Sequence, residues 1–160
     1  MTTRSGIGFD VHPLVEGRPL VLAGVAIPFA RGLAGHSDGD VLVHAIIDAI
    51  LGGAALGDIG THFPSDDPSY RGIASTLLLD RTLRMAEAHG WQTVFVDATI
   101  IAERPVLHPF MDRIAKGLAV SLHMDRGLVN LKAKTTDGLG FIGRGEGVAA
   151  LAIATLESAE

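Results

Sequence analysis

Asp40-Val41-Leu42-Val43-His44-Ala45-Ile46-Ile47-Asp48-Ala49-Ile50-Leu51-Gly52-Gly53-Ala54-Ala55 decides the reading of this chain. From Val41 to Ala55 the residues are apolar at helical spacing, and Asp40 is a natural N-cap, its carboxylate accepting from the free N–H groups of the first turn. The exceptions are His44 and Asp48. They lie one turn apart on the face of Asp40, so a polar stripe interrupts an otherwise buried helix. Asp48 is either a carboxylate that orients the imidazole of His44 or an ordinary solvated helix residue.

Upstream, Gly8-Phe9-Asp10-Val11-His12-Pro13 places a carboxylate and an imidazole two residues apart. In an extended segment such side chains point to the same face, so Asp10 and His12 can reach one ion, while His44 comes from a separate element. Three protein ligands leave a fourth tetrahedral position open, the arrangement of catalytic zinc. The plainer reading is a pair of polar residues near a turn and a core histidine satisfied by its neighbours. With no cysteine in the chain there is neither a disulfide framework nor a thiolate site, and any zinc must use His and carboxylate ligands.

Working outward, a first strand is expected from Gly6 to His12, then a hairpin at Leu20-Val21-Leu22 and Val25-Ala26-Ile27, and loop from Pro28 to Gly35. Gly57 to Gly72 reads as a long polar loop, a length usually kept for function. Helices are expected over Ser75–His89, stopped by Gly90, and over His108–Leu122. Strands are expected over Val94–Ala102 and Leu128–Thr135. Periodicity leaves Val148 to Leu156 open between strand and helix. Alternating strands and helices point to one two-layer α/β domain over residues 1–160.

The 160 residues carry a formal charge of -5, 48% hydrophobic residues, 5% aromatic residues and 20 glycines. The core must therefore be built from Leu, Ile, Val and Ala. The 13 Lys and Arg are scattered, which argues against a nucleic-acid surface. Neither a leader-like apolar stretch nor a run of ~18 apolar residues is present, so a soluble, cytoplasmic protein without a membrane partner is expected. Asp outnumbers Glu twelve to six, and seven Asp precede position 68, a bias toward turns, caps and metal contacts.

Two motifs point elsewhere. Gly35-His36-Ser37-Asp38-Gly39 satisfies the G-x-S-x-G elbow of serine hydrolases, with Asp97 and His123 completing the order on paper, yet Pro28 to Ala34 is a poor elbow strand. Gly138-Leu139-Gly140-Phe141-Ile142-Gly143 satisfies G-x-G-x-x-G, but 17 residues are too few for the rest of a dinucleotide unit. These glycines instead allow a close backbone approach to a ligand or neighbouring subunit, or form a plain turn.

Several blocks together carry a more specific signal. They are Gly8–His12, Gly35–Val41 with His44, Leu56-Gly57-Asp58-Ile59-Gly60, Phe63-Pro64, Thr99–Ala102 with Pro105, Lys132–Asp137 and Leu139–Gly147. In this order and spacing the chain, from Gly6 to about Ala152, resembles the 2-C-methyl-D-erythritol 2,4-cyclodiphosphate synthase family. The resemblance implies a mixed sheet with helices on one face, in a homotrimer whose sheets line a central cavity. It also implies a reaction: the 2-phosphate of 4-diphosphocytidyl-2-C-methyl-D-erythritol 2-phosphate attacks the β-phosphorus of the same molecule, expels CMP and closes a cyclic diphosphate. Such a reaction needs positioning and charge neutralisation, and no enzyme nucleophile.

By the same resemblance, Asp10, His12 and His44 hold one zinc ion per subunit, and Asp137 helps to hold a second divalent ion, Mg2+ or Mn2+. His36 and Thr135 match the positions that stabilise the transition state; read alone, His36 is as readily a loop-capping imidazole and Thr135 an ordinary strand residue. Substrate contacts fall on Asp10, His12, His36 and Ser37, on Asp58, Ile59, Gly60 and the run Phe63, Pro64, Ser65, Asp66, Asp67. They continue on Ala102, Glu103, Arg104, Pro105, Val106 and Leu107, on Ala133, Lys134, Thr135, Thr136 and Asp137, and on Phe141 and Arg144. The chain departs from the usual pattern at Ser65, Asp66, Glu103, Arg104, Val106, Lys134 and Asp137. The implied partners are the cytidine diphosphate substrate, two further copies of the chain with the active sites between them, and an isoprenoid diphosphate in the central cavity near Phe9 and Arg144. A serine hydrolase using Ser37 and a non-catalytic, metal-stabilised trimeric binder of isoprenoid diphosphates are the competing readings.

Overall fold

The computed structural model of the chain describes residues 1–158. Strand β1 (Thr3–Glu16) is longer than expected at both ends. Its last residues, Leu14 to Glu16, pair antiparallel with β4 (Arg31–Leu33), which lies inside the stretch expected to be loop. Three residues carry no readable periodicity, and only their partner in β1 makes them a strand. The hairpin of β2 (Leu20–Leu22) and β3 (Val25–Ile27) forms where expected.

Helix α1 (Val41–Gly53) begins at Asp40, whose side chain accepts from the Val43 N–H. The expected loop after it is broken by a short helix, α2 (Ile59–His62), and a 3-10 turn at Pro68–Tyr70, each capped by an aspartate, Asp58 and Asp67. Then follow α3 (Ser75–Ala88), β5 (Trp91–Ile101), α4 (Met111–Ser121) and β6 (Val129–Lys134). A last short helix, α5 (Gly140–Gly143), leads into β7 (Gly147–Ser158), so the undecided terminal segment is a strand. The G-x-G-x-x-G stretch is a tight turn and one helical turn, in which a Cβ on Gly143 would run into the backbone of Gly138.

The five-stranded sheet has the order β4-β1-β7-β5-β6, with β7 antiparallel to both neighbours and β5 parallel to β6. It is therefore a mixed sheet. Helix α1 packs across β1 and β7. The fit depends on missing side chains: a Cβ on Gly8 would strike the Ala45 carbonyl, and one on Gly6 the carbonyl of Ala49. Close backbones here carry His44 toward the strand that bears Asp10 and His12. Ala150, Ala152, Ala154 and Leu156 of β7 fill the core beside Ile46 and Ile50. The other face of the sheet is uncovered. It presents Ile7 and Phe9 of β1 in register with Ile153 and Leu151 of β7, with Ile7 67% and Phe9 55% exposed. Among the described residues no helix is long and apolar enough to cross a membrane.

Candidate active site

Alternation along β1 turns Asp10 and His12 to the helix side, and α1 supplies His44 from below. Among the described residues these three form the one cluster of His and acidic groups placed to hold an ion. His12 Nε2 lies 2.8 Å from Asp10 Oδ2, His44 Nδ1 lies 3.1 Å from the same oxygen, and the two nitrogens are 3.1 Å apart. Ligands of a tetrahedral zinc with bonds near 2.0–2.1 Å sit roughly 3.3 Å from one another, so this spacing is that of a ligand set.

The outer nitrogens decide which inner ones are free. His12 Nδ1–H donates to the Ala34 carbonyl at 2.7 Å, leaving Nε2 with a lone pair when the ring is neutral. Three lone pairs facing one another within such distances require a positive centre between them, either a proton or a cation. Without a cation the protons do the work. Burial works to lower the affinity of His12 for a proton, yet the hydrogen bond and charge of Asp10 outweigh it and raise its pKa. Burial works to raise Asp10, and the two histidines overcome that, holding its carboxyl at about 2. Two imidazole nitrogens and one carboxylate oxygen, with no sulfur, suit zinc and similar divalent ions.

A cavity of about 260 Å³ opens on this triad and is lined by His36, Ser37, Ile59, Gly60, Phe63, Ser65 and Tyr70 as well. Much of the expected substrate loop therefore reaches it. Asp58 and Asp67 spend their carboxylates as caps, on Thr61 and Ser69, and each is held below its ordinary pKa by those hydrogen bonds. Asp66 faces a neighbouring cavity with Arg18 and Arg71. His36 Nε2 donates to the Asp67 carbonyl at 2.7 Å, so in this state the imidazole ties the loop down while its ring lines both cavities.

Asp48 does not serve His44. Its carboxylate accepts from the Ile59 N–H at 2.7 Å, anchoring the loop, and burial raises its pKa. The partners of His44 Nε2 are instead Ser37 Oγ at 3.0 Å and Ser75 Oγ at 2.8 Å. Nothing local in the sequence marks Ser75, which lies 31 residues from His44 at the start of α3. The proposed hydrolase set is dispersed: Asp97 binds Lys132 and Asn130, and His123 binds Asp80 on the surface. Ser37–His44–Asp10 does have the connectivity of a nucleophile, base and acid. The convergence of His12 on the same Asp10 oxygen, and a Ser37 only 6% exposed, are features of a ligand set rather than of an attacking serine.

The remaining candidates gather elsewhere. Ala102, Glu103, Pro105, Val106, Leu107, Ala133, Lys134 and Thr135 line a separate cavity of about 180 Å³ at the end of the parallel pair β5–β6. There Ala102 N–H donates to the Lys134 carbonyl and Thr136 N–H to Glu103. Thr135 and Asp137 are exposed, and among the described residues their side chains hydrogen-bond only within the pair, the Thr135 hydroxyl donating at 3.4 Å to an Asp137 with φ 53°. A single exposed carboxylate cannot hold Mg2+ alone, and it fits such an ion only together with waters and substrate phosphates. Phe141 is 44% exposed, and Arg144 forms a two-point pair with Glu146.

Fold and site together define a two-layer α/β protein with a two-histidine, one-carboxylate metal centre. The YgbB family model matches residues 3–157. Curated relatives named 2-C-methyl-D-erythritol 2,4-cyclodiphosphate synthase include one from Desulfatibacillum aliphaticivorans, 54% identical over 96% of this chain and 99% of its own. Another, from Bordetella pertussis, is 53% identical over 98% and 96%. Among solved structures, the bifunctional IspDF of Campylobacter jejuni superposes with a TM-score of 0.94 at 42% identity, covering 98% of this chain and 42% of that one. A cyclodiphosphate synthase in a CDP-bound form gives 0.88 at 37% identity, with 96% of this chain and all of that one covered. The chain belongs to the YgbB family.

Proposed function

We propose that the chain is a CMP-releasing phosphorus–oxygen lyase of isoprenoid biosynthesis, which cyclises 4-diphosphocytidyl-2-C-methyl-D-erythritol 2-phosphate to 2-C-methyl-D-erythritol 2,4-cyclodiphosphate. Relatives carrying that name over nearly the whole chain support the activity. The convergence of Asp10, His12 and His44 on one point, at the floor of a cavity, carries the reading.

Asp10, His12 and His44 would hold one Zn2+ per subunit, and Asp137 would contribute to a Mg2+ or Mn2+ site completed by the diphosphate. Bound there, the cations would neutralise and polarise phosphoryl oxygens. The chain's own residues do the rest. Asp58, Ile59, Gly60 and Phe63 to Asp67 form the loop around the erythritol, so the 2-phosphate is held near the β-phosphorus and the reaction gains its effective molarity. His36 and Ser37 border that space, and His36, released from the Asp67 carbonyl, would donate to a phosphoryl oxygen as charge builds. Thr135 would donate from the opposite side. Ala102 to Leu107 and Ala133 to Asp137 would wall the cytidine and diphosphate.

Two separate cavities in one subunit support a shared site. In this reading three copies form a closed homotrimer of about 50 kDa, each a single catalytic domain of 16.7 kDa, with the triad of one copy opposite the Thr135 segment of the next. The bare apolar face of the sheet supports the same arrangement, because a strip containing Ile7, Phe9, Leu151 and Ile153 would be buried around the three-fold axis. Phe9, Phe141 and Arg144 would then border a central cavity suited to an isoprenoid diphosphate. In this reading the enzyme works in the cytoplasm.

The test is CMP release from the cytidylyl substrate with metal present and then chelated. Metal-dependent CMP without free inorganic phosphate is expected. Undiminished turnover after complete metal removal would reject the reading.

A further inference from the structure

Behind the triad lie two polar side chains, Ser75 and Asp38, that no contact with substrate explains. Ser75 is fully buried, and His44 and Ser37 are nearly so. Buried polar groups are almost always paired, so the protons here can be followed through the hydrogen bonds that link half-buried Asp38, buried Ser75 and the cavity-lining Ser37 and His44. Asp38 is the fixed point. Its Oδ1 already accepts from the Asp40 N–H at 3.1 Å and its Oδ2 from the Ser75 N–H at 3.0 Å, so both oxygens act as acceptors. The Ser75 hydroxyl, in hydrogen-bond contact with Oδ1, therefore gives its one proton to Asp38.

That commitment propagates. With its proton spent, Ser75 Oγ can only accept from His44 Nε2 at 2.8 Å, so Nε2 carries the hydrogen and Nδ1 keeps the lone pair that faces Asp10 and His12. Ser37 Oγ, 3.0 Å from the same Nε2, is a second acceptor for that N–H. The local structure agrees: Ser75 heads α3 yet caps nothing, since the N-cap residue Ala74 makes no side-chain bond and the serine side chain points to Asp38 and His44.

We propose that Asp38 and Ser75 are positioning residues for the metal centre, a carboxylate–hydroxyl–imidazole relay. It fixes the tautomer and ring plane of His44 and strengthens its Nδ1 as a ligand. The proposal rests on Asp10, His12 and His44 being a metal site. Hydrogen-bond partners behind ligating histidines commonly change metal affinity 10- to 100-fold. Because Ser37 stands in reserve, Ser75→Ala should weaken zinc about 10-fold, and the Ser37→Ala/Ser75→Ala double variant should approach ~100-fold.

The experiment measures zinc affinity of the full chain by chelator competition, and the His44 tautomer by nitrogen NMR of the metal-free, histidine-labelled protein. Parent, Ser75→Ala, the double variant and Asp38→Asn are compared, and melting of the metal-free forms controls for folding. The parent should show Nε2–H at His44, and the Ser75 variants should lose affinity in the stated order while their metal-free melting stays near that of the parent. A parent that binds no zinc would reject the metal site and the relay with it. A parent that binds zinc, with Ser75→Ala and the double variant unchanged in affinity or His44 found as Nδ1–H, would reject the relay alone.

Discussion

The two halves of the candidate site are built differently. Around Asp10, His12 and His44, donors and acceptors are matched within the subunit, on a strand, a helix and a loop pinned by Asp38, Asp40 and Asp48. Around Thr135 and Asp137 the side chains are exposed and, among the described residues, hydrogen-bond only within the pair, beside a separate cavity that Thr135 lines. The first half is finished by folding. The second presents donors to a space that this subunit does not close, which is what a site completed by a neighbouring copy requires.

Breaking the finished half should have the largest effect. His44→Ala removes one of three ligands and should abolish both stoichiometric zinc and turnover, whereas Ser37→Ala, which leaves all three ligands and Ser75 in place, should keep zinc bound and much of the activity. Elemental analysis decides this, and an unchanged zinc content in the His44 variant would contradict the ligand assignment. Breaking the open half should cost less. Thr135→Val keeps the shape and deletes one donor, so turnover should fall ~10²-fold at constant zinc content if it resembles loss of an oxyanion-type donor. Parent-like turnover would make Thr135 a strand residue only.

The smallest effect concerns the footing of the finished half. Asp40 is fully buried and accepts from the N–H groups of Ala23, Gly24 and Val43. Asp40→Asn turns an amide N–H2 toward at least one of those donors and should cost about 1–3 kcal/mol of stability, with zinc binding retained. Burial raises the Asp40 pKa from 3.8 to about 6. The folded state thus holds this proton more tightly than the unfolded chain does, and the linked stability is fully present below 3.8 and lost as pH rises through about 6. The stability of the parent relative to Asp40→Asn should therefore grow from pH 7 to pH 4 in urea melts. A pH-independent difference would mean that Asp40 does not titrate in this range.

What the sequence reveals follows the same divide between local and distant causes. The cap at Asp40, the helix behind it and the shared face of Asp10 and His12 are legible because each signal lies within a few residues. Strand β4 escapes because it exists only through Leu14 to Glu16. β7 is undecidable from within: Ala149, Ala150, Ala152 and Ala154 favour helix, and antiparallel partners on both sides make the segment a strand. At the site, the sequence offers Asp48, one turn along the same helix, either as a partner carboxylate for His44 or as a solvated residue, but the helix directs Asp48 to the loop at Ile59. The real partner, Ser75, arrives from another helix, at a separation that no periodicity spans.

The shared site is the central claim, and complementation tests it most directly. His44→Ala and Thr135→Val chains, each impaired alone, are mixed in equal amounts, unfolded and refolded together, and assayed for metal-dependent CMP release. Random assembly into trimers pairs an intact triad with an intact Thr135 in about a quarter of the sites, so roughly a quarter of parental activity should return. If the mixture only averages the activities of the two separate variants, while native mass spectrometry with one chain isotope-labelled shows mixed trimers, both halves of the site belong to one subunit and the account is wrong.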